Sequence, residues 1–288
     1  MINYDKPKEL HAFDAKFDAQ KIAFAPVAFQ AARCLIKFNI LKHIDEAGVE
    51  GVDLQTLVSK CTISEYGIHV LVDMGMSMHL IWQQEGRYIL DKTGHFLLHD
   101  AMAQRNLNFV HDVCYEGLYK LEESIANGKP EGLQVFGDWP TIYPGLKDLP
   151  EAAKQSWFEF DHYYSDHAFP QTLPLIFEFD PKHILDVGGN TGKWALKCTE
   201  FNNDVKVTIM DLPGQLAEAK KNAEKAGVAD RIEGFEINLL DENQSFYQGA
   251  DTIWMSQFLD CFSKDEILSI LKRAVKVMKG NTRLFILG

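Results

Sequence analysis

The chain has no CxxC pair: its five cysteines, Cys34, Cys61, Cys114, Cys198 and Cys261, are widely spaced. No disulfide framework or cysteine-based metal centre is indicated, and no metal is expected. An odd number of isolated thiols fits a reducing compartment. The chain also lacks a basic tract. With 29 Lys and Arg against 41 Asp and Glu, its net charge is −12, which argues against a phosphate-neutralising face and a nucleic-acid partner. No uncharged apolar run approaches the length of a membrane span. The polar start, MINYDKPKELHAFDAK, has no apolar leader core, so a cytoplasmic location off the membrane is expected.

What is present is an ordinary globular composition: 46% hydrophobic and 24% charged over 288 residues, enough for one large or two ordinary domains. Residues 1–100 read as helices followed by a small β element. AFAPVAFQAARCLIKFNILKHIDEAG (23–48) has apolar residues at helical spacing and ends at Gly48. A short helix, a turn at Thr62–Ser64 and a second helix follow, and then two alternating runs around QQEGR, a hairpin signal. Helix, turn, helix, hairpin is the order of a winged helix. Its second helix, SEYGIHVLVDMGMSMHL, has no Lys or Arg to read bases, so packing or dimerisation is the better reading than DNA binding. Residues 101–180 read as a helical bridge, broken by GKPEG and DWPTIYPGLKDLP. The bridge is rich in aromatics and histidines in WFEFDHYYSDHAF (157–169), a run compatible with core packing and with a substrate wall.

From 181 strands and helices alternate: HILDVGG, NTGKWALKCTEF, VKVTIMDLP, GQLAEAKKNAEKAG, RIEGFEINLL, ADTIWMSQF, DEILSILKRAVKVMKG and TRLFILG. Such alternation predicts an α/β, Rossmann-like, doubly wound parallel sheet over 181–288. In ILDVGGNTGKW a glycine-rich turn joins the first strand to a helix, where backbone N–H groups can meet a ligand. A P-loop fails, because Trp194 follows Lys193 and Val187 stands at the first glycine. A dinucleotide fingerprint fails, because Asn190 replaces its second glycine.

Asp186, Gly188, Gly189 and Gly192 instead resemble motif I of the class I S-adenosylmethionine (SAM) methyltransferases. The second strand ends at Asp211, and its context, MDLPGQLAEAK, resembles the small-molecule O-methyltransferases of the plant caffeate and bacterial polyketide type, which carry a winged-helix dimerisation domain ahead of the SAM domain. The resemblance implies SAM as cofactor, S-adenosylhomocysteine (SAH) as product and a homodimer formed through the N-terminal domain. It implies a cofactor site from Asp186, Gly188, Gly189, Gly192, Asp211, Leu212 and Ser256. Asn238 stands where the family has an acid that touches the adenine amine, and Leu239 where an apolar residue packs on the ring. A strand-end turn is the other reading of Asn238.

In the same resemblance a histidine that takes the acceptor's proton follows the fourth strand. Here Asp260 stands in its place, Cys261 at the following acid and Phe262 at a tryptophan. A phenol near pKa 10 faces an aspartate near 3.9, a mismatch of about 6 units or about 8 kcal/mol, against about 5 kcal/mol for histidine. Burial can raise an aspartate by about 3–5 units, so Asp260 is expected to be buried if it is the base. His162 is the second candidate base, and His111, Phe160, Tyr163, Tyr164 and Phe262 are the expected acceptor wall. The family's glutamate after the fifth strand aligns with Gly288, and two further strands are missing, so the SAM domain is expected to be truncated there. The implied activity is methyl transfer from SAM to a hydroxyl of a small aromatic or conjugated metabolite. The alternative is a catalytically weakened SAM- or SAH-binding dimeric family member with a structural or regulatory role.

Overall fold

A computed structural model of the chain describes residues 10–288. Residues 1–9, which hold most of the polar start, lie outside the described residues. No described helix is long and apolar enough to cross a membrane. The chain divides into two compact units, one ending at Glu116 and one running Gly117–Gly288.

The first unit begins with α1 (Ala12–Ala23), α2 (Ala25–Lys37) and α3 (Ile40–Glu46). The single helix expected over 23–48 is therefore interrupted twice. Pro26 lies in the first turn of α2, where its missing N–H costs nothing. Asn39 takes a left-handed conformation (φ 60°) that ends α2 and redirects the chain into α3. Next come β1 (Val52–Asp53), α4 (Leu54–Lys60), α5 (Glu65–Ser77), β2 (Ile81–Gln84) and β3 (Arg87–Leu90). Asp53 caps α4 and Ser64 caps α5, each accepting a backbone N–H three residues on. The hairpin turns on Glu85 and Gly86, both with positive φ, which matches the twist of the paired strands. The strand β1, absent from the sequence reading, pairs with β3 to give the antiparallel order β1-β3-β2. Leu35, Ile40, Leu41, Ile44, Leu57, Ile68, Val72 and Ile81 form the core. The unit continues through α6 (Lys92–His99), α7 (Ala101–Phe109) and a π-helical turn at Val110–Cys114. The segment expected as a bridge over 101–180 is thus shared between the two units.

The second unit starts with α8 (Leu121–Asn127), short 3-10 turns, α9 (Glu151–Asp166) and α10 (Phe169–Phe177). Then follow β4 (His183–Val187), α11 (Lys193–Phe201), β5 (Lys206–Asp211), α12 (Pro213–Ala226), β6 (Ile232–Glu236), β7 (Thr252–Ser256), α13 (Lys264–Val277) and β8 (Arg283–Leu287). The strands form a parallel sheet in the order β6-β5-β4-β7-β8. This is the expected Rossmann-like fold. Helices cover both faces, so central strands are apolar on both. Ile184, Val207, Ile209 and Trp254 pack with α10 and α11 on one side; Leu185, Val187, Met210, Ile253 and Met255 pack with α13 on the other. Each fully buried aliphatic side chain contributes about 1.5–3 kcal/mol.

The chain runs outward from β4 through β5 to β6, then returns to lay β7 on the other side of β4. That reversal opens a crevice at the carboxyl ends of β4 and β7, the usual ligand position in such sheets. The strand expected over 231–240 stops at Glu236, and the chain turns at Asn238–Leu240. Arg273 of α13, 7% exposed, holds that turn: its guanidinium donates to the carbonyls of Leu239, Asp241 and Gln244. Replacing Arg273 with Leu removes these donors at once. Arg273→Leu is expected to cost about 3 kcal/mol, lowering Tm by roughly 6–12 °C in calorimetry.

Candidate active site

The glycine turn sits directly on two side chains. Gly188 has φ 71°, and a Cβ there would lie 2.2 Å from the Phe258 ring. A Cβ on Gly189 would lie 2.5 Å from Oδ2 of Asp186. Only glycine lets the backbone come this close. Asp186 is 2% exposed, and its Oδ2 has no partner among the described residues. Burial, followed by the charge of Asp211, pushes its pKa up to about 8.

Asp211, at the end of β5, accepts the backbone N–H of Asn190 on Oδ2 (2.8 Å) and that of Leu212 on Oδ1 (2.7 Å). These bonds favour its charged form, yet burial outweighs them and lifts the pKa to about 6. Asn190, also in the left-handed region (φ 51°), is the hub of the turn. Its Nδ2 donates to Oδ2 of Asp161 at 2.9 Å, while its own Oδ1 is buried without a partner. Thr191 is fixed by Asn222, whose amide donates to its carbonyl at 3.0 Å.

Helix α9 presents two faces. At helical spacing Phe158, Asp161, His162 and Ser165 share one, and it meets the turn through Asp161–Asn190 and His162–Thr191. Phe160, Tyr163, Tyr164 and His167 share the opposite one, with ring centres 4.3–5.4 Å apart. The helix period that joins Phe160, Tyr163 and Tyr164 turns them away from the glycine turn, so these expected wall residues do not converge on it. His162 is near it, with Nε2 3.4 Å from Thr191 Oγ1. Burial, then Lys193, lowers its pKa to about 4, so the ring is neutral at pH 7 and a weak proton acceptor. Lys193 itself donates to Asp166 at 2.8 Å. His111 lies in the first unit, where its Nδ1 is 2.6 Å from Asp112 Oδ1 and 3.3 Å from the Arg33 guanidinium.

The exit of β7 forms the other wall of the crevice. Ser256 Oγ is buried without a partner, and Gln257 (φ 47°) bends the chain while its N–H donates to Leu287 O at 2.8 Å. A 3-10 turn, Leu259–Cys261, follows, flanked by Phe258 and Phe262 with ring centres 4.9 Å apart. Asp260 is exposed, where burial by Phe258, Leu259 and Phe262 was expected: those three side chains pack against the core of the sheet instead of over the carboxylate. Cys261 is the inward-facing polar group, and its Sγ accepts the hydroxyl of Tyr143 at 2.5 Å. Burial raises the pKa of both, so the phenol and the thiol stay protonated.

Asp161 is the carboxylate that sequence reading missed. Burial raises its pKa, partly offset by the Asn190 bond, and Asp260 adds a further upward push. It in turn raises Asp211 and Tyr143. Asp161 is therefore electrostatically linked both to Asp211 and to Asp260, the positions expected to bind ribose and to act as base.

Beyond Asp211 a cavity of about 490 Å³ is lined by Leu212, Phe235, Asn238 and Gln244, among others. Asn238 Oδ1 accepts the N–H of Leu240 at 3.1 Å, the strand-end turn. Leu239 is buried in the core rather than lining the cavity, because the turn at Asn238 points successive side chains to opposite sides. The apolar surface comes from Leu212 and Phe235 instead.

Acceptors without donors therefore surround the turn: Asp186 Oδ2, Asn190 Oδ1 and Ser256 Oγ, with Asp161 and Asp211 nearby. Such a site suits a ligand that donates hydrogen bonds or carries positive charge.

Comparison with known proteins agrees with this geometry. The dimerisation2-like domain family matches residues 16–88, and the O-methyltransferase domain family matches residues 175–287. Bacteriochlorophyllide d C-20 methyltransferase of Chlorobaculum tepidum is 23% identical over 276 residues, covering 91% of this chain and 75% of the relative. Cephaeline 6'-O-methyltransferase IpeOMT1 of Carapichea ipecacuanha is 23% identical over 286 residues, covering 96% and 76%. The chain thus spans about three quarters of the length of these two relatives. Among solved structures, the mitomycin 7-O-methyltransferase MmcR superposes with TM-score 0.73 at 15% identity, covering 95% of this chain and 79% of that one. PigF with SAH gives 0.73 at 18%, covering 96% and 81%. A dimerisation2-like domain and an O-methyltransferase domain follow one another in this chain, and it belongs to the class of SAM-dependent O-methyltransferases built from that pair.

Proposed function

We propose that this protein transfers a methyl group from SAM to a hydroxyl of a small aromatic or conjugated metabolite, working as a homodimer joined through its first unit. The observation that carries the reading is the ring of undonated acceptors on the glycine turn, Asp186 Oδ2 and Asn190 Oδ1 above all. SAM, when bound, supplies an electrophilic methyl on a sulfonium together with an ammonium group. Asp186, Asn190 and Asp161 would face its positive groups. Asp211 keeps lone pairs for ribose hydroxyls beyond its two backbone bonds. Leu212, Phe235 and Asn238 offer a cavity for adenine.

Within this reading the acceptor's proton goes to Asp161 rather than to Asp260 or His162. Its burial lifts the carboxylate toward the range a phenol or enol requires, whereas Asp260 is exposed and His162 is pushed down to about 4. Tyr143 and Cys261, both protonated, stand beside it to orient the acceptor oxygen. A second reading follows from the same absence of a histidine base: methylation of a carbon, as in the name of the Chlorobaculum relative. Transfer of a carbon-13 methyl followed by NMR of the product separates the two. Binding of SAH with no transfer to a broad phenol and enol panel would instead support the catalytically weakened family member.

Two outcomes test the site. First, affinity for SAH is expected to rise between pH 6 and 8, with protons released on binding, because Asp211 (about 6) accepts ribose hydroxyls best, and Asp186 (about 8) faces the ammonium group best, in their ionised forms. Titration calorimetry in buffers of different ionisation enthalpy measures this, and no binding at millimolar SAH would sink the cofactor assignment. The raised pKa of Asp186 also means that stability present below about pH 4 is lost as pH rises through 8, so Tm without ligand falls across that window. Asp186→Asn is expected to flatten both trends. Second, Asp161→Asn should lower kcat about 10²–10⁴-fold, and Asp260→Asn less than tenfold. The opposite ranking would return the base to Asp260.

A further inference from the structure

Away from the crevice, the first unit holds a cluster of metal-ligating side chains. His95 and His99 lie four residues apart on α6, on the same exposed face, with ring centres 4.6 Å apart. Asp45, from α3, reaches between them. Its Oδ2 is 2.8 Å from His99 Nε2 and its Oδ1 is 4.0 Å from His95 Nδ1, so each carboxylate oxygen addresses a different imidazole. The ligand atoms all lie within 4.8 Å of one another.

We propose that Asp45, His95 and His99 form a binding site for a divalent transition cation of the zinc class. The donor set is right for that class: two imidazoles and one carboxylate, with an open position for water. Bonds of about 2.0–2.1 Å at tetrahedral angles put ligand atoms about 3.3 Å apart, so the cluster needs only small side-chain adjustments to close on an ion. Two features of the surroundings favour a cation. His99 ends α6, where the helix carbonyls concentrate negative potential. The neighbouring carboxylate, Glu46, is engaged on its own helix by Lys42 and His43, and so leaves the Asp45 cluster to bind an ion without competition. The pairing of His99 with Asp45 already links α3 to α6, and a bound ion would make that link a clamp.

The test is Zn²⁺ titration of the full chain against a chromophoric chelator, with Co²⁺ absorption as a report on ligand geometry. One Zn²⁺ per chain should bind with a micromolar Kd, and saturating Zn²⁺ should raise Tm by about 5 °C or more. His95→Gln and Asp45→Asn should each weaken binding at least tenfold, while His69→Gln, an exposed histidine elsewhere, should leave it unchanged. His95 is exposed, so its replacement leaves the core of the unit intact. Absence of uptake at about 100 µM Zn²⁺, or equal uptake by the wild type and His95→Gln, would overturn the proposal and assign any residual binding to the scattered thiols.

Discussion

Buried carboxyl groups at the carboxyl end of β4 are the constraint on which the second unit is built. Asp186 is sealed beneath the glycine turn with one oxygen undonated among the described residues, Asp211 acts on it, and Asp161 acts on Asp211 in turn. Burying carboxylates in this way costs free energy, and the protein meets part of that cost by holding protons. It meets another part with backbone N–H groups that the left-handed turn at Asn190 aims at Asp211. The apolar sheet beneath keeps these groups from relaxing toward water. A site destabilised in this manner is preorganised for a cationic ligand, since binding relieves what folding strained.

Much of this was legible locally. The glycine motif and the acid at the end of β5 are written within a few residues, and backbone geometry follows from them. Strand and helix alternation fixes a parallel sheet for the same reason. What stayed hidden depends on residues far apart in the chain. Asp161 becomes a site residue only because α9 lies against the turn at Asn190, and Tyr143 only because its loop reaches Cys261.

Side-chain direction was the least legible feature. Phe160, Tyr163 and Tyr164 form an aromatic run in sequence, but a helix sorts neighbours by face, and theirs is the one away from the glycine turn. Asp260 occupies the aligned position of a base, but a single 3-10 turn decides which side chains point inward. Leu239 likewise follows a turn that reverses its direction. HFLLH, the half of the Asp45 cluster that sequence spacing could have exposed, needed a carboxylate from another helix to acquire meaning.

The two-faced character of α9 bears on how such a protein can diverge. Residues on the Phe160 face lie on the side of α9 away from Asn190 and Thr191, so a substitution there acts on other neighbours than the turn. Length is another matter. One inserted residue ahead of Asp161 would rotate the rest of the helix by about 100°, moving Asp161 and His162 off the turn together. The helix is tolerant of spelling and intolerant of spacing.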